Sequence, residues 1–488
     1  MTDQNNIHNL GELKTSGYKS KSIKEELRSN LIENIKNGVP SFTGIHGYDQ
    51  TVIPQLERAI LSQHNINLLG LRGQAKTRLA RLMIQLLDEY IPAIDGSEIN
   101  DDPLQPISRF GKELIAELGD ETPVKWIHRN SRFFEKLATP DVTISDLIGD
   151  IDPIKAANLK LSYADERVIH FGMIPRANRS IFVINELPDL QSRIQVALFN
   201  ILEEGDIQIR GFQVRMPLDL QFVFTANPED YTNRGSIVTP LKDRIGSQIL
   251  THYPTTIEIA KTITAQEARL QDDRVCDIHI PELAKDLVEQ IGFEARENEF
   301  VDSKSGISAR MGITSYENLL STAEHRCIAS GSTKTSVRFS DIIGMIPSIT
   351  GKVELVYEGE QEGAAFVAER LIGASAKTIF DQYFPAIKKL KHENEKDPYD
   401  GILQWFFEQS AFELMDNGTE DEYRNGLLAI TPLSEMVQQY MSEMPEADRL
   451  FVMELVLWAL VEYKKLNKKR IEEGFEFKDS YGAYLSNL

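Results

Sequence analysis

The apolar run Ile66-Asn-Leu-Leu69 breaks into Gly70-Leu-Arg-Gly-Gln-Ala-Lys-Thr77, and a helical pattern opens at once. No other feature of the sequence restricts the fold as much. A tight strand-to-helix turn gathers its backbone N–H groups on one concave side, and the helix behind it adds the positive end of its dipole. Both converge on a phosphate. The spacing of Gly, four residues, a small residue, Lys and Ser/Thr is that of the phosphate-binding loop. Gly70, Gly73, Gln74 and Ala75 then form the cradle. Lys76 reaches the β- and γ-phosphates, the Thr77 hydroxyl ligates Mg²⁺, and Arg78 stands in the first helical turn. Ala75 stands where Gly is usual, and it is expected to hold a negative φ.

Such a loop needs a parallel sheet, and the chain supplies the pattern. From Phe42 to Tyr253 short apolar runs alternate with helical stretches, the mark of an α/β domain. Strands are expected at 66–69, 124–127, 181–184, 220–225 and 248–251, with helices at 77–90, 190–204 and 240–245. Residues 1–40 read as a polar lead-in with one helix at 23–37, ended by Gly38 and Pro40. After Pro254 the alternation stops, and helical spacing at 256–270, 281–298 and 310–329 predicts an all-α lid over 256–346. A third, mostly helical region follows over 347–488, ending in an amphipathic helix near 446–466 and Lys-rich turns. Its role is not legible.

Three later segments carry chemistry suited to the loop. Ser180-Ile-Phe-Val-Ile-Asn185-Glu186 is a strand with a polar end, the layout that holds Mg²⁺ through water and places a base behind it. Glu186 is the candidate base. Asn185 stands where a carboxylate is usual, so it can accept a hydrogen bond but brings no charge. Asn227, after the strand at 220–225, is the candidate for orienting the lytic water. Arg244 in Pro240-Leu-Lys-Asp-Arg244 can present its charge to a neighbouring subunit's γ-phosphate, and Arg310 opens a lid helix.

Composition removes several classes. Lys and Arg number 53 against 74 Asp and Glu, a net charge of −21 that repels nucleic acid and anionic lipid over most of the surface. No run approaches the roughly 18 apolar residues of a membrane span, and the first ten residues lack a signal peptide's apolar stretch, so the cytoplasm is expected. Cys276 and Cys327 lie far apart in sequence, with no His or Cys at metal-ligand spacing, and read as reduced thiols.

Taken together, the chain resembles the MoxR and magnesium-chelatase branch of AAA+ ATPases over residues 42–345. The loop Gly-x-x-Gly-x-Ala-Lys-Thr is similar to MoxR loops, and Gly172-Met-Ile-Pro-Arg-Ala-Asn-Arg-Ser-Ile-Phe182 resembles the magnesium-chelatase stretch before the acidic strand end. Residues 138–171 look like that clade's helix-2 insert, and 206–216 like its hairpin ahead of sensor 1. The resemblance implies ATP and Mg²⁺ as cofactors and assembly with copies of itself into a ring, usually hexameric. It also implies Arg244 acting in trans, Arg310 as sensor 2, and a partner with a von Willebrand factor A domain that is remodelled or served by metal insertion. Three readings follow: an active motor, a nucleotide-gated scaffold with weak hydrolysis because of Asn185, and a DNA-dependent machine that the net charge disfavours.

Overall fold

The computed structural model describes residues 7–161, 165–207, 216–228, 235–270, 274–387, 397–409, 411–472 and 474–480. These form two compact units, Met1–His252 and Tyr253–Leu488.

The first unit is built on a five-stranded parallel sheet of β1 (Ile66–Leu69), β2 (Phe133–Leu137), β3 (Ser180–Asn185), β4 (Leu220–Ala226) and β5 (Ser247–Leu250), in the order β5-β1-β4-β3-β2. Every pairing is parallel, from Ile66 opposite Val223 and Ser247 to Phe133 opposite Ile181. Strands β3 and β4 are buried along their whole length, as parallel strands covered on both faces must be. Alternation sends Ile181, Val183 and Val223 into one hydrophobic cluster and Phe182, Ile184, Phe222 and Phe224 into the other. The sheet is thus the middle layer of an α/β sandwich, as the alternating pattern predicts.

Three features differ from the expected layout. Val124–His128 is a strand, but it pairs antiparallel with Tyr90–Ile94, outside the central sheet. Its place is taken by Phe133-Phe-Glu-Lys-Leu137, an edge strand whose half-buried Glu135 and Lys136 hide the apolar signal. The helix expected to run to Tyr90 instead ends at Leu82 and tightens into a 3₁₀ turn over Met83–Leu86. The strand that follows, Tyr90–Ile94, carries Pro92, whose ring and missing N–H exclude it from a helix interior. The helix expected at 190–204 is broken at Leu198 into two segments. The lead-in holds a helix at Ile23–Lys36, capped reciprocally by Ser22 and Glu25, and also a short one at Leu10–Thr15 that buries Leu10 and Leu13. In the region expected to carry the insert, Gly149–Ile151 pairs antiparallel with Ile169–Phe171. The base of the hairpin pairs Asp206–Ile207 with Met216–Pro217, while its arms over 208–215 lie outside the described residues.

In the second unit, helices Ile257–Glu267, Glu282–Glu297 and Arg310–Ala329 stand close to their expected positions. One hydrophobic cluster runs from Leu283 to Phe477, so the expected lid and C-terminal regions share a core. Helix Glu446–Glu462 is central to it. All of Leu450 to Leu460 is buried, and an amphipathic face gives way to a fully enclosed helix. The segment expected as Lys-rich turns is a hairpin of Leu466–Ile471 and Gly474–Asp479, with Phe412–Met415 as third strand. There the Lys468 ammonium lies 3.5 Å from the centre of the Trp458 ring. The two thiols, distant in sequence, both donate to the Ser332 carbonyl, Cys276 at 3.5 Å and Cys327 at 3.2 Å.

The enclosed stretch Leu450–Leu460 carries one acid, Glu454, which accepts hydrogen bonds from the Phe339 N–H at 2.9 Å and the Tyr423 hydroxyl at 2.8 Å. Burial pushes its carboxyl up to about 7. The folded state therefore keeps a proton that the unfolded chain loses near its ordinary value of 4.5. Stability is full below that value and falls as pH rises through 7. Denaturant unfolding is expected to show the second unit losing about 2 kcal/mol between pH 5 and 8, and Glu454→Gln is expected to flatten that slope.

Candidate nucleotide site

The carboxyl ends of β1, β3, β4 and β5 meet at the loop Gly70–Thr77. Gly70 N–H donates to the Ala226 carbonyl at 3.1 Å, and Thr251 N–H donates to Leu69 at 2.9 Å, so the loop is fixed to both flanking strands. A side chain at Gly70 would overlap Thr251 Oγ1 and Gln74 Oε1, which are hydrogen-bonded to each other at 2.7 Å. The Tyr48 hydroxyl, pointing at the carbonyls of Gln74 (3.0 Å) and His252 (2.7 Å), braces the loop from behind.

Gly73 has φ 74°, and Ala75 has φ 56° and ψ 18°. The negative φ expected at Ala75 is therefore corrected: the loop keeps its left-handed turn with a methyl group in place. For an L-residue that conformation costs roughly 1–2 kcal/mol, and the bonds that tie Gly70 and Gln74 to Thr251 and Tyr48 hold it there. Left-handed residues in such a turn aim successive N–H groups inward, the concavity an anion requires.

The Lys76 side chain is buried, and its ammonium donates to the carbonyls of Gly70 and, at 2.9 Å, Leu71. It lies across the loop, where phosphate oxygens would meet it. The Thr77 hydroxyl lies 3.2 Å from Asn185 Oδ1 at the end of β3. That oxygen also accepts from the Thr225 hydroxyl of β4 at 3.0 Å, while Asn185 Nδ2 donates to Glu135 Oε1 of β2 at 2.6 Å. A carboxylate only accepts, so the orientation of the amide is fixed, with its oxygen toward Thr77. Hydroxyl and amide oxygens together suit a hard divalent cation bound with phosphate oxygens. The residues present thus fit Mg²⁺ with a nucleotide.

Glu186 follows with φ 56° and ψ 50°, a left-handed position that turns the chain sharply out of the sheet, and its N–H donates to Thr225 Oγ1 at 3.2 Å. Strain of this kind in a non-glycine residue gathers at functional positions. Asn227 is buried directly after β4, level with Gly70 across the β1–β4 pairing. Arg78 is exposed in the helix after the loop. Arg244 ends the helix Thr239–Arg244, held by Glu203 at 2.7 Å and lying over the Phe199 ring. Among the described residues its contacts are with this surface and not with the loop. Arg310 belongs to the second unit, exposed at the first position of its helix.

Sequence reasoning missed Glu135, Thr225, Thr251 and Tyr48. Thr225 and Thr251 end apolar strands and carried a usable signal, because polar residues at strand ends border such a crevice. Glu135 carried none once the wrong segment had been given its strand.

The profile of the AAA domain, dynein-related subfamily, matches residues 112–245, from just ahead of the strand at 124–128 through Arg244. The magnesium-chelatase 38 kDa subunit of Cereibacter sphaeroides is 25% identical over 208 residues, covering 41% of this chain and 54% of that protein. The same subunit of Rhodobacter capsulatus is 24% identical over 192 residues, 39% and 49% of the two chains. The chain spans about half the length of these curated relatives. A cryo-EM-based complex of subunits BchI and BchD of magnesium chelatase aligns at a TM-score of 0.33 with 18% identity, covering 64% of this chain and 96% of that one. An overlay that loose carries no functional weight. Among the described residues no helix is long and apolar enough to cross a membrane.

Proposed function

We infer that the chain belongs to the AAA+ proteins, on the branch of MoxR and magnesium-chelatase ATPase subunits, and from that premise that it binds Mg-ATP at Gly70–Thr77 and hydrolyses it to drive a change in a partner protein. The observation that carries this reading is the meeting of the Thr77 and Thr225 hydroxyls on Asn185 Oδ1 at the ends of three parallel strands, beside a loop across which Lys76 lies. Thr77 and Asn185 would hold Mg²⁺ with the nucleotide, and the ion would supply charge screening on the phosphates of the ATP substrate. Lys76 exchanges its bonds to Gly70 and Leu71 for phosphate oxygens. Glu186 takes the proton of the attacking water, and Asn227 orients that water.

Arg244 acts on a neighbouring copy in a ring of such chains, and Glu203 holds its guanidinium at the surface until that copy arrives. Arg310, first in its helix, takes the part of sensor 2 that the resemblance gives it. The partner carries a von Willebrand factor A domain, and its remodelling, with or without metal insertion, is the output. The cytoplasm is the setting that suits this work. Relatives named as magnesium-chelatase subunits support the branch, while the second unit of this chain sets its client apart.

Fluorescent ADP binding tests the reading. Lys76→Ala is expected to weaken affinity at least tenfold, about 1.4 kcal/mol, and retained affinity would refute the site. The uncharged Asn185 favours a second reading, a nucleotide-gated scaffold that binds tightly and turns over weakly. Single-turnover kinetics separate the two, since a scaffold shows no chemistry within the time that the nucleotide stays bound.

A further inference from the structure

The end of β3 lacks the usual carboxylate, yet the structure places one beside it. Glu135 projects from the neighbouring strand β2, and its Oε1 accepts from Asn185 Nδ2 at 2.6 Å. Its Oε2 accepts from Arg81 Nη2 at 2.8 Å. The Glu135 side chain is 28% exposed, while that of Arg81 is 63% exposed at the surface. The chain Thr77–Asn185–Glu135 thus runs from a hydroxyl through an amide to a fixed negative charge.

We propose that Glu135 supplies the charge Asn185 lacks, acting through the Asn185 amide as an outer carboxylate for the Mg²⁺ of the bound nucleotide. This rests on the Mg-ATP reading above. The physics has two parts. A carboxylate accepting from an amide N–H draws that dipole into line and raises the electron density on Asn185 Oδ1, the oxygen that faces Thr77. The charge itself lies one side chain away from the cation position, where a partly buried site weakens screening. Outer partners of this kind alter metal affinity about 10–100-fold when removed. Glu135 is therefore a positioning residue, not a catalytic one.

The same geometry explains why restoring Asp at 185 alone is a poor test. Two carboxylates would then meet where an amide and a carboxylate now bond, and their repulsion would oppose the gain. Moving the charge, by N185D together with E135Q, avoids this clash.

The test is a Mg²⁺ titration of the full chain with fluorescent ADP bound, read as the Mg²⁺ midpoint and referenced to affinity in EDTA. Glu135→Gln is expected to raise the midpoint about tenfold or more, with affinity in EDTA unchanged. The double variant N185D/E135Q is expected to return the midpoint to near the wild-type value. Arg81→Ala, which removes an exposed competing cation, is expected to lower it about two- to threefold. A Glu135→Gln midpoint equal to wild type overturns the proposal and leaves the nucleotide site standing. A wild type that binds no nucleotide overturns both. Should Glu135→Gln fail to fold, Arg81→Ala decides: an unchanged midpoint overturns the proposal.

Discussion

Glu186→Gln is expected to lower steady-state hydrolysis of Mg-ATP about 10²–10⁴-fold, the range a positioned general base contributes, while nucleotide affinity stays within about twofold of wild type. The carboxyl stands one residue beyond Asn185, on backbone with φ 56° that turns out of the sheet at the Thr225 hydroxyl. Gln keeps the shape and the polar head there but cannot take a proton. Ground-state contacts to the nucleotide therefore remain, and the loss falls on the chemical step, seen as a fall in kcat with KM little changed. Turnover unchanged in the variant would remove Glu186 from the role of base. A weakened affinity of comparable size would make it a structural residue of the turn.

The parts of this site that were legible in sequence are those whose chemistry is local. Gly70–Thr77 declares itself because strand, loop and helix are contiguous, and β3 and β4 declare themselves because full burial requires unbroken apolar runs. The errors lie where the tertiary setting outweighs the local signal. Ala75 reads as a residue that must keep negative φ, but loop closure between β4 and β5 holds it left-handed at φ 56°. Phe133–Leu137 escapes the apolar pattern because Glu135 and Lys136 interrupt it, yet it is the edge strand, and Glu135 reaches Asn185 on the strand it pairs with. Conversely, the helix at Glu446–Glu462 reads as amphipathic, yet its stretch Leu450–Leu460 is enclosed all round, and Glu454 finds its partners inside the core. In each case the residue type was read correctly and its neighbours, distant in sequence, set its role.

Glu26→Ala is expected to destabilise the first unit by about 3–5 kcal/mol, the cost of stranding a buried charge. Glu26 grips Arg132 with both oxygens, at 2.7 and 2.6 Å, and the two side chains are 3% and 2% exposed. Its Oε1 also accepts from the Asp88 N–H at 2.6 Å. Arg132 Nε donates to the Arg179 carbonyl at 2.9 Å, and the Arg132 carbonyl accepts from Ile181 N–H at 3.0 Å, so this one arginine aligns the starts of β2 and β3. Without Glu26 the guanidinium keeps its place only as an unpaired ion, or leaves it and releases the edge strand that carries Glu135. Urea unfolding of the full chain measures the loss as a lower midpoint for the first unit. Replacing both partners, Glu26→Leu with Arg132→Met, removes both desolvation penalties along with the attraction, and is expected to cost less than Glu26→Ala alone. If the double variant proves the worse of the two, the pair stabilises the unit by its own attraction. If Glu26→Ala loses under about 1 kcal/mol, as exposed pairs do, water reaches Arg132 and the strand start is held by its backbone bonds.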